Sequence, residues 1–276
     1  MPNSPVQQRL SALPGMGGAR LLEQLADGPT NTSYLVERGA ERFVLRLDKP
    51  EARQLGLDRD NERAVCETLA EAGLTPAHRH FDAAAGVCLR PFVAGRSLRG
   101  ADLLEPGTLE RLAGVLRRLH RLPPVGLPFD VAGAARRYAA QLATPQASML
   151  AERAAGLLTE IGRQGGAAAL CHNDLVAENV LETPQGDLLL IDWEYAAVGD
   201  PYFDLAVVVR HHQLDPSLAR HFFGAYLQRA PSKKESARFA LQCRLYDGLL
   251  ALWNLRVSEL QEAAGRPSAE ERPGST

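Results

Sequence analysis

Apolar residues alternate in short runs through the first third of the chain and recur at helical spacing through the remaining two thirds. That segregation limits the fold more than any other feature, because separated strands and helices favour an α+β architecture over alternating βαβ units. Residues 22–48 read as β structure. A first run ends at the polar turn Asp27-Gly28-Pro29-Thr30-Asn31-Thr32-Ser33, and Tyr34-Leu35-Val36 leads away from it. A second turn at Arg38-Gly39 precedes Phe43-Val44-Leu45-Arg46-Leu47, whose alternation sets Phe43, Leu45 and Leu47 on one face and Val44 with Arg46 on the other. Asp58 to Ala72 reads as a helix stopped by Gly73 and Pro76, and Phe81 to Val93 as two strands around Gly86. Beyond Gly95-Arg96-Ser97 the pattern turns helical: Leu109, Leu112, Leu116 and Leu119 share a face up to Pro123-Pro124, followed by helical regions at 134–163, 202–229 and 234–262. Residues 1–20, rich in Pro, Gly and Ser, yield no clear element. The expected organisation is a first lobe over 1–94, a second over 95–264, and a polar tail over 265–276 that reads as disordered.

Composition excludes several classes. With 23% charged residues and a net charge of −2, nothing pulls the chain toward nucleic acid or an anionic membrane. No apolar stretch approaches the roughly 20 residues needed to span a bilayer, and the N-terminal residues lack the pattern of a secretory signal. Cys66, Cys88, Cys171 and Cys243 are scattered and form no C-x-x-C pair, which suits reduced thiols in a cytoplasmic protein. Oligomeric state is not legible.

The densest chemistry lies between His172 and Asp204. His172-x-Asp174 followed by Asn179 matches the H-x-D-x-x-x-x-N catalytic loop of kinases. Phosphoryl transfer needs a carboxylate to orient the attacking hydroxyl and accept its proton, a role that suits Asp174. It also needs oxygen donors for Mg²⁺, and Asn179 offers a neutral one. A turn at Pro184-Gln185-Gly186-Asp187 then leads through Leu188-Leu189-Leu190-Ile191 to Asp192, a short hairpin whose second strand carries the second metal-binding carboxylate. Gathering such charges is costly without a cation among them, which itself argues for Mg²⁺. An isolated H-N-D triplet is more often a polar turn; the ordered set at this spacing is what carries the inference.

CHNDLVAENVL followed by LIDWEYAAVGDPYFDLA resembles the choline/ethanolamine kinases and the aminoglycoside phosphotransferase-like kinases, including bacterial thiamine kinases. The resemblance covers roughly residues 20 to 260. It implies a protein-kinase-like bilobal α+β fold, with an N-terminal antiparallel-sheet lobe binding ATP and a mainly helical C-terminal lobe binding the acceptor. Trp193-Glu194-Tyr195 after Asp192 is similar to the choline and thiamine kinase branches. Thr30, Asn31, Thr32 and Ser33 resemble the family's G-x-[ST]-N-x-[ST] phosphate loop, although a surface hairpin would look alike. Arg46 stands where the family places its phosphate-binding cation, with Val44 lining the adenine pocket and Glu62 as the helix partner of Arg46. Phe92 and Val93 fall at the hinge that binds adenine through its backbone. His120 and His172 read as structural, as do Asp200 and Asp204.

The acceptor is less constrained than the reaction. Glu194, Tyr195, Tyr246, Asp247 and Trp253 fall in segments where the resemblance puts the acceptor pocket. Aromatic faces with a carboxylate suit a quaternary ammonium such as choline, and equally the cationic ring of thiamine. Each aromatic alone is more simply a core residue. The expectation is therefore phosphorylation of a small alcohol: choline, ethanolamine or thiamine. The alternatives are an aminoglycoside or amino-sugar acceptor, or a non-catalytic nucleotide-binding protein of the same fold.

Overall fold

A computed structural model describes residues 4–263. In chain order its elements are α1 (Pro5–Ala12), β1 (Arg20–Asp27), β2 (Asn31–Arg38), β3 (Glu41–Asp48), α2 (Glu51–Gln54), α3 (Arg59–Glu71), β4 (His80–Asp82), β5 (Val87–Pro91), β6 (Arg96–Ser97), α4 (Pro106–Leu119), α5 (Val131–Leu142), α6 (Pro145–Gln164), β7 (Ala169–Cys171), β8 (Val180–Glu182), β9 (Leu188–Leu190), β10 (Ala197–Gly199), α7 (Pro201–His211), α8 (Pro216–Leu227) and α9 (Lys233–Ala263). The tail expectation at 265–276 lies outside the described residues. Strands dominate the first third and helices the rest, as an α+β architecture requires. The chain divides into two compact units. Among the described residues, one contains those up to Arg96 together with Leu181–Tyr195; the other contains Ser97–Val180 and those from Ala196 onward. A single boundary at 94/95 had left segment 181–195 with the helices, whereas its contacts are with the strands.

The first unit is built on a five-stranded antiparallel sheet of order β1-β2-β3-β5-β4. Register pairs Val36 with Phe43, Leu45 with Leu89 and Leu47 with Val87. These side chains, with Leu10 and Met16, make one core cluster. Leu10 comes from α1, an element the apolar pattern did not reveal because its stripe is only Leu10 and the partly buried Val6. Ser4 starts this helix by accepting from the Gln7 N–H at 3.1 Å, with Pro5 in the first turn. Val44 and Arg46 occupy the opposite face of β3 and are buried too, so the strand is covered on both sides. Asp58 caps α3 by accepting from the Asn61 N–H at 2.9 Å, and the helix buries Glu62, Val65, Cys66 and Leu69. Strands β6, β8 and β9 form a small sheet in that order. Gly95 beside it is sterically required, since a Cβ there would stand 2.5 Å from the Glu182 carbonyl oxygen.

In the second unit, α9 runs for 31 residues and packs against α5, α6 and α7, while α4 packs against α8. The helical regions expected at 134–163 and 202–229 are each two helices. Ala143 turns left-handed (φ 50°), Thr144 caps the next helix, and Pro145 opens it. Gln213 (φ 51°), the Asp215 cap and Pro216 do the same between α7 and α8. Buried residues run unbroken from Tyr202 to Val209, so α7 is an interior helix of this unit. Beside it, β7 and β10 pair antiparallel, Cys171 opposite Ala197. Among the described residues no helix is long and apolar enough to cross a membrane.

Candidate phosphotransfer site

The catalytic-loop motif sits in the second unit, immediately after β7. His172 is fully buried, and the Asp174 N–H donates to its Nδ1 at 3.3 Å. Asn173 takes a left-handed conformation (φ 65°), uncommon outside glycine but tolerated by asparagine, and its surroundings hold it there. The hold comes from Asp204 on α7, which is buried completely. Its carboxylate accepts the His172 N–H at 2.9 Å and the Asn173 N–H at 2.7 Å, and it meets His120 Nε2 at 2.9 Å. The other ring nitrogen of His120 bonds the Tyr226 hydroxyl at 2.9 Å. His120, Cys171 and Asp204 lie close enough to hold a metal. Both imidazole nitrogens are already engaged, however, and burial, with the Asp204 and Asp200 carboxylates, pushes the Cys171 thiol up. Hydrogen bonding accounts for that cluster.

Asp174 itself is only half-buried. Asn179 donates its Nδ2 to the Asp174 backbone oxygen at 2.9 Å and to Oδ2 at 3.0 Å. The amide nitrogen is thereby committed, which leaves the Asn179 carbonyl oxygen as a donor of the hard type Mg²⁺ takes. The residues present fit that ion.

The first unit holds Arg46, Glu62, Asp192 and Glu194. Arg46 and Glu62 form a bidentate pair, both bonds 2.7 Å. Arg46 Nη1 also reaches Asp192 Oδ1 at 3.2 Å. Asp192 is half-buried and, like Asn173, left-handed (φ 65°), so both loops bend sharply at an acidic or amide residue that tolerates this conformation. Burial alone would weaken the Arg46 cation; Glu62 overrides it and holds the guanidinium well above its usual value. Burial likewise works against ionised Glu62, but Arg46 and then Arg59 keep its carboxyl below the ordinary range.

Glu194 is the least comfortable member. Its Oε1 accepts from Thr30 Oγ1 at 2.9 Å, and its Oε2 from Asn31 Nδ2 at 3.2 Å and Arg59 Nη1 at 2.9 Å. Burial first, then the neighbouring Asp192 carboxylate, pushes its carboxyl up to about 8 against the pull of Arg59 and Arg46. Thr30 and Asn31 are thus both buried and directed at Glu194, whereas Thr32 bonds the side chain of Asp27 at 3.0 Å and Ser33 is half-buried. Val44 is buried beside Arg46 along β3. At the hinge, Phe92 and Val93 are half-buried and the Phe92 N–H is used by the Arg42 carbonyl at 3.0 Å.

The candidate acceptor residues fall in both units. Glu194 and half-buried Tyr195 belong to the first; Tyr246, Asp247 and Trp253 lie along α9 in the second. The Tyr246 hydroxyl meets His211 Nδ1 at 2.9 Å, and burial, with the charges of Asp174 and Asp247, raises its pKa. Asp247 is half-exposed and bonded to Arg210 at 2.8 Å, and Trp253 is half-buried.

Arg59 and Asp48 were absent from the residues singled out in the sequence. Their signals were faint: Arg59 precedes Glu62 by one helical turn, and Asp48 follows Arg46 by two positions on β3.

The sequence matches the phosphotransferase enzyme family (APH) over residues 22–239. It is 30% identical over 208 residues to protein LicA of Haemophilus influenzae, an alignment spanning 72% of this chain and 60% of that one. In fold it is similar to choline kinase LicA from Streptococcus pneumoniae, with a TM-score of 0.76 at 23% identity, covering 92% of this chain and 90% of that one. A LicA structure in complex with AMP superposes with a TM-score of 0.79 at 22% identity, covering 96% and 92% of the two chains. This chain, with its kinase-like α+β fold, belongs to the phosphotransferase enzyme family.

Proposed function

We propose that the chain transfers the γ-phosphate of ATP to the hydroxyl of an amino alcohol such as choline or ethanolamine, or of thiamine, in the cytoplasm. The observation that carries this reading is the Asn179 amide clamped on both the backbone and the carboxylate of Asp174, which presents a half-buried base at a braced loop. In the proposal Asp174 orients the acceptor hydroxyl and receives its proton as the new O–P bond forms and ADP departs. Asn179 and Asp192 would hold Mg²⁺, which when bound neutralises charge on the phosphates. Arg46, fixed by Glu62, takes the α- and β-phosphates; Thr30, Asn31, Thr32 and Ser33 flank them, with Val44, Phe92 and Val93 around the adenine. The LicA complex with AMP supports a nucleotide in this family's fold. Tyr195, Tyr246, Trp253, Glu194 and Asp247 are assigned to the acceptor, whose class the LicA relatives favour.

The test is ADP release with Mg-ATP across choline, ethanolamine, thiamine, amino sugars and aminoglycosides. Turnover should rise with one of the first three and fall about 10³-fold in Asp174→Ala, while Mg-ATP still raises the Tm of that variant. Stimulation only by an aminoglycoside or amino sugar would move the acceptor to that class. ATP binding without any acceptor-stimulated turnover would make the chain a nucleotide-binding protein instead.

A further inference from the structure

Arg59 opens α3, and its side chain is 8% exposed. Nε and Nη2 grip Asp48 on β3 at 2.7 and 2.8 Å, a fork on one carboxylate. Nη1 is shared between Glu62 Oε2 at 2.8 Å and Glu194 Oε2 at 2.9 Å. The same Glu62 oxygen accepts from Arg46 Nη2 at 2.7 Å. One guanidinium therefore ties together three acidic residues from a strand, a helix and the segment after β9. Each of them stands next to a residue assigned to the nucleotide or its metal ion: Asp48 two positions after Arg46, Glu62 in contact with Arg46, Glu194 two positions after Asp192.

We propose that Arg59 is a positioning residue for the nucleotide: through Glu62 it fixes the Arg46 guanidinium, and through Glu194 it fixes the backbone that carries Asp192. This deepens the kinase reading and rests on it. The planar fork matters here. Nη1 bridges two carboxylates while the opposite edge of the same plane holds a third, and an ammonium has no comparable rigid geometry. Without Arg59, Glu62 keeps only Arg46, and Glu194 keeps hydrogen bonds only from the neutral donors Thr30 and Asn31, with the more distant charge of Arg46 set against that of Asp192. Both carboxylates would then draw Arg46 away from an incoming phosphate.

The experiment compares wild type, Arg59→Met, Arg59→Lys and Asp48→Asn. It uses Mg-ATP affinity by calorimetry, and the KM of nucleotide and of acceptor well below each Tm. Arg59→Met should weaken Mg-ATP binding and raise nucleotide KM about tenfold, a larger rise than in acceptor KM, which Arg59 touches only through Glu194. Arg59→Lys and Asp48→Asn should shift in the same direction by less. A merely structural role would lower the active fraction, and so apparent kcat, with both KM values intact. Nucleotide affinity and KM within twofold of wild type in whichever of these variants fold would overturn the proposal. Calorimetry reads it even if wild type shows no turnover with any acceptor, a result that counts against the kinase reading alone.

Discussion

The two units hold their acidic loops by opposite means. In the second, a single carboxylate, Asp204, fixes the loop before Asp174 by accepting two backbone N–H groups and meeting a histidine. In the first, Asp192 and Glu194 are held in a net of side-chain charges, Arg46 and Arg59 against Asp48, Glu62 and themselves. Backbone anchoring leaves one arrangement available. A net of forked cations lets Arg46 exchange one acceptor for another while Arg59 keeps the carboxylates in place, which suits the phosphate and metal contacts proposed for it. The difference assigns rigidity to the proposed base and adaptability to the proposed nucleotide contacts.

Substitution should separate these designs. Asp204→Ala strands two buried N–H groups and an imidazole, a loss of about 3–5 kcal/mol. Thermal melts should show a fall in Tm on the order of 10 °C, with turnover lost alongside. An unchanged Tm would break the comparison at its firmer end. Arg46→Met leaves Glu62 still paired with Arg59, so it should cost less in Tm than Asp204→Ala. It should weaken Mg-ATP binding by about 10–100-fold in calorimetry, the loss of a charge-assisted contact. Equal Tm losses in the two variants would erase the distinction.

The smallest effect concerns pH, because each unit holds a half-buried histidine whose pKa is pulled far down. Burial pulls His78 down to about 4, with Arg46 and Arg90 pushing the same way against Glu62; burial and His211 pull His212 down to about 4, against Glu178 and a Leu175 backbone bond. Unfolded, both return to about 6.5. From about 6.5 down to 4 the unfolded chain binds protons that the folded chain refuses, so this stability is complete above about 6.5 and drains as pH falls. Melts between pH 7 and 4.5 should show that slope, and His78→Gln should flatten part of it. A slope untouched by that variant would show that His78 is not held neutral.

Much of this was legible in the sequence because it is local. The spacing of His172, Asp174 and Asn179, the hairpin before Asp192, and the helix beginning near Asp58 all follow from neighbours within a few positions. The helix breaks at Ala143 and Gln213 were missed because apolar spacing continues across them; the Thr144-Pro145 and Asp215-Pro216 pairs were the available signals. The partners of Glu194 were not legible at all. Thr30, Asn31 and Arg59 lie 164, 163 and 135 positions away, and only folding decides which of several carboxylates they meet. The same holds for His120 and Asp204, 84 positions apart.

The return of residues 181–195 to the first unit sets an order of events during synthesis. A nascent chain that has emerged only as far as Arg96 has all five sheet strands, but it lacks Asp192 and Glu194. Arg59 and Arg46 must then wait with part of their counter-charge missing while 84 residues of the other unit, Ser97–Val180, leave the ribosome. The charged net closes late, as a long-range event, and no cut at a single peptide bond can separate the two units as whole pieces.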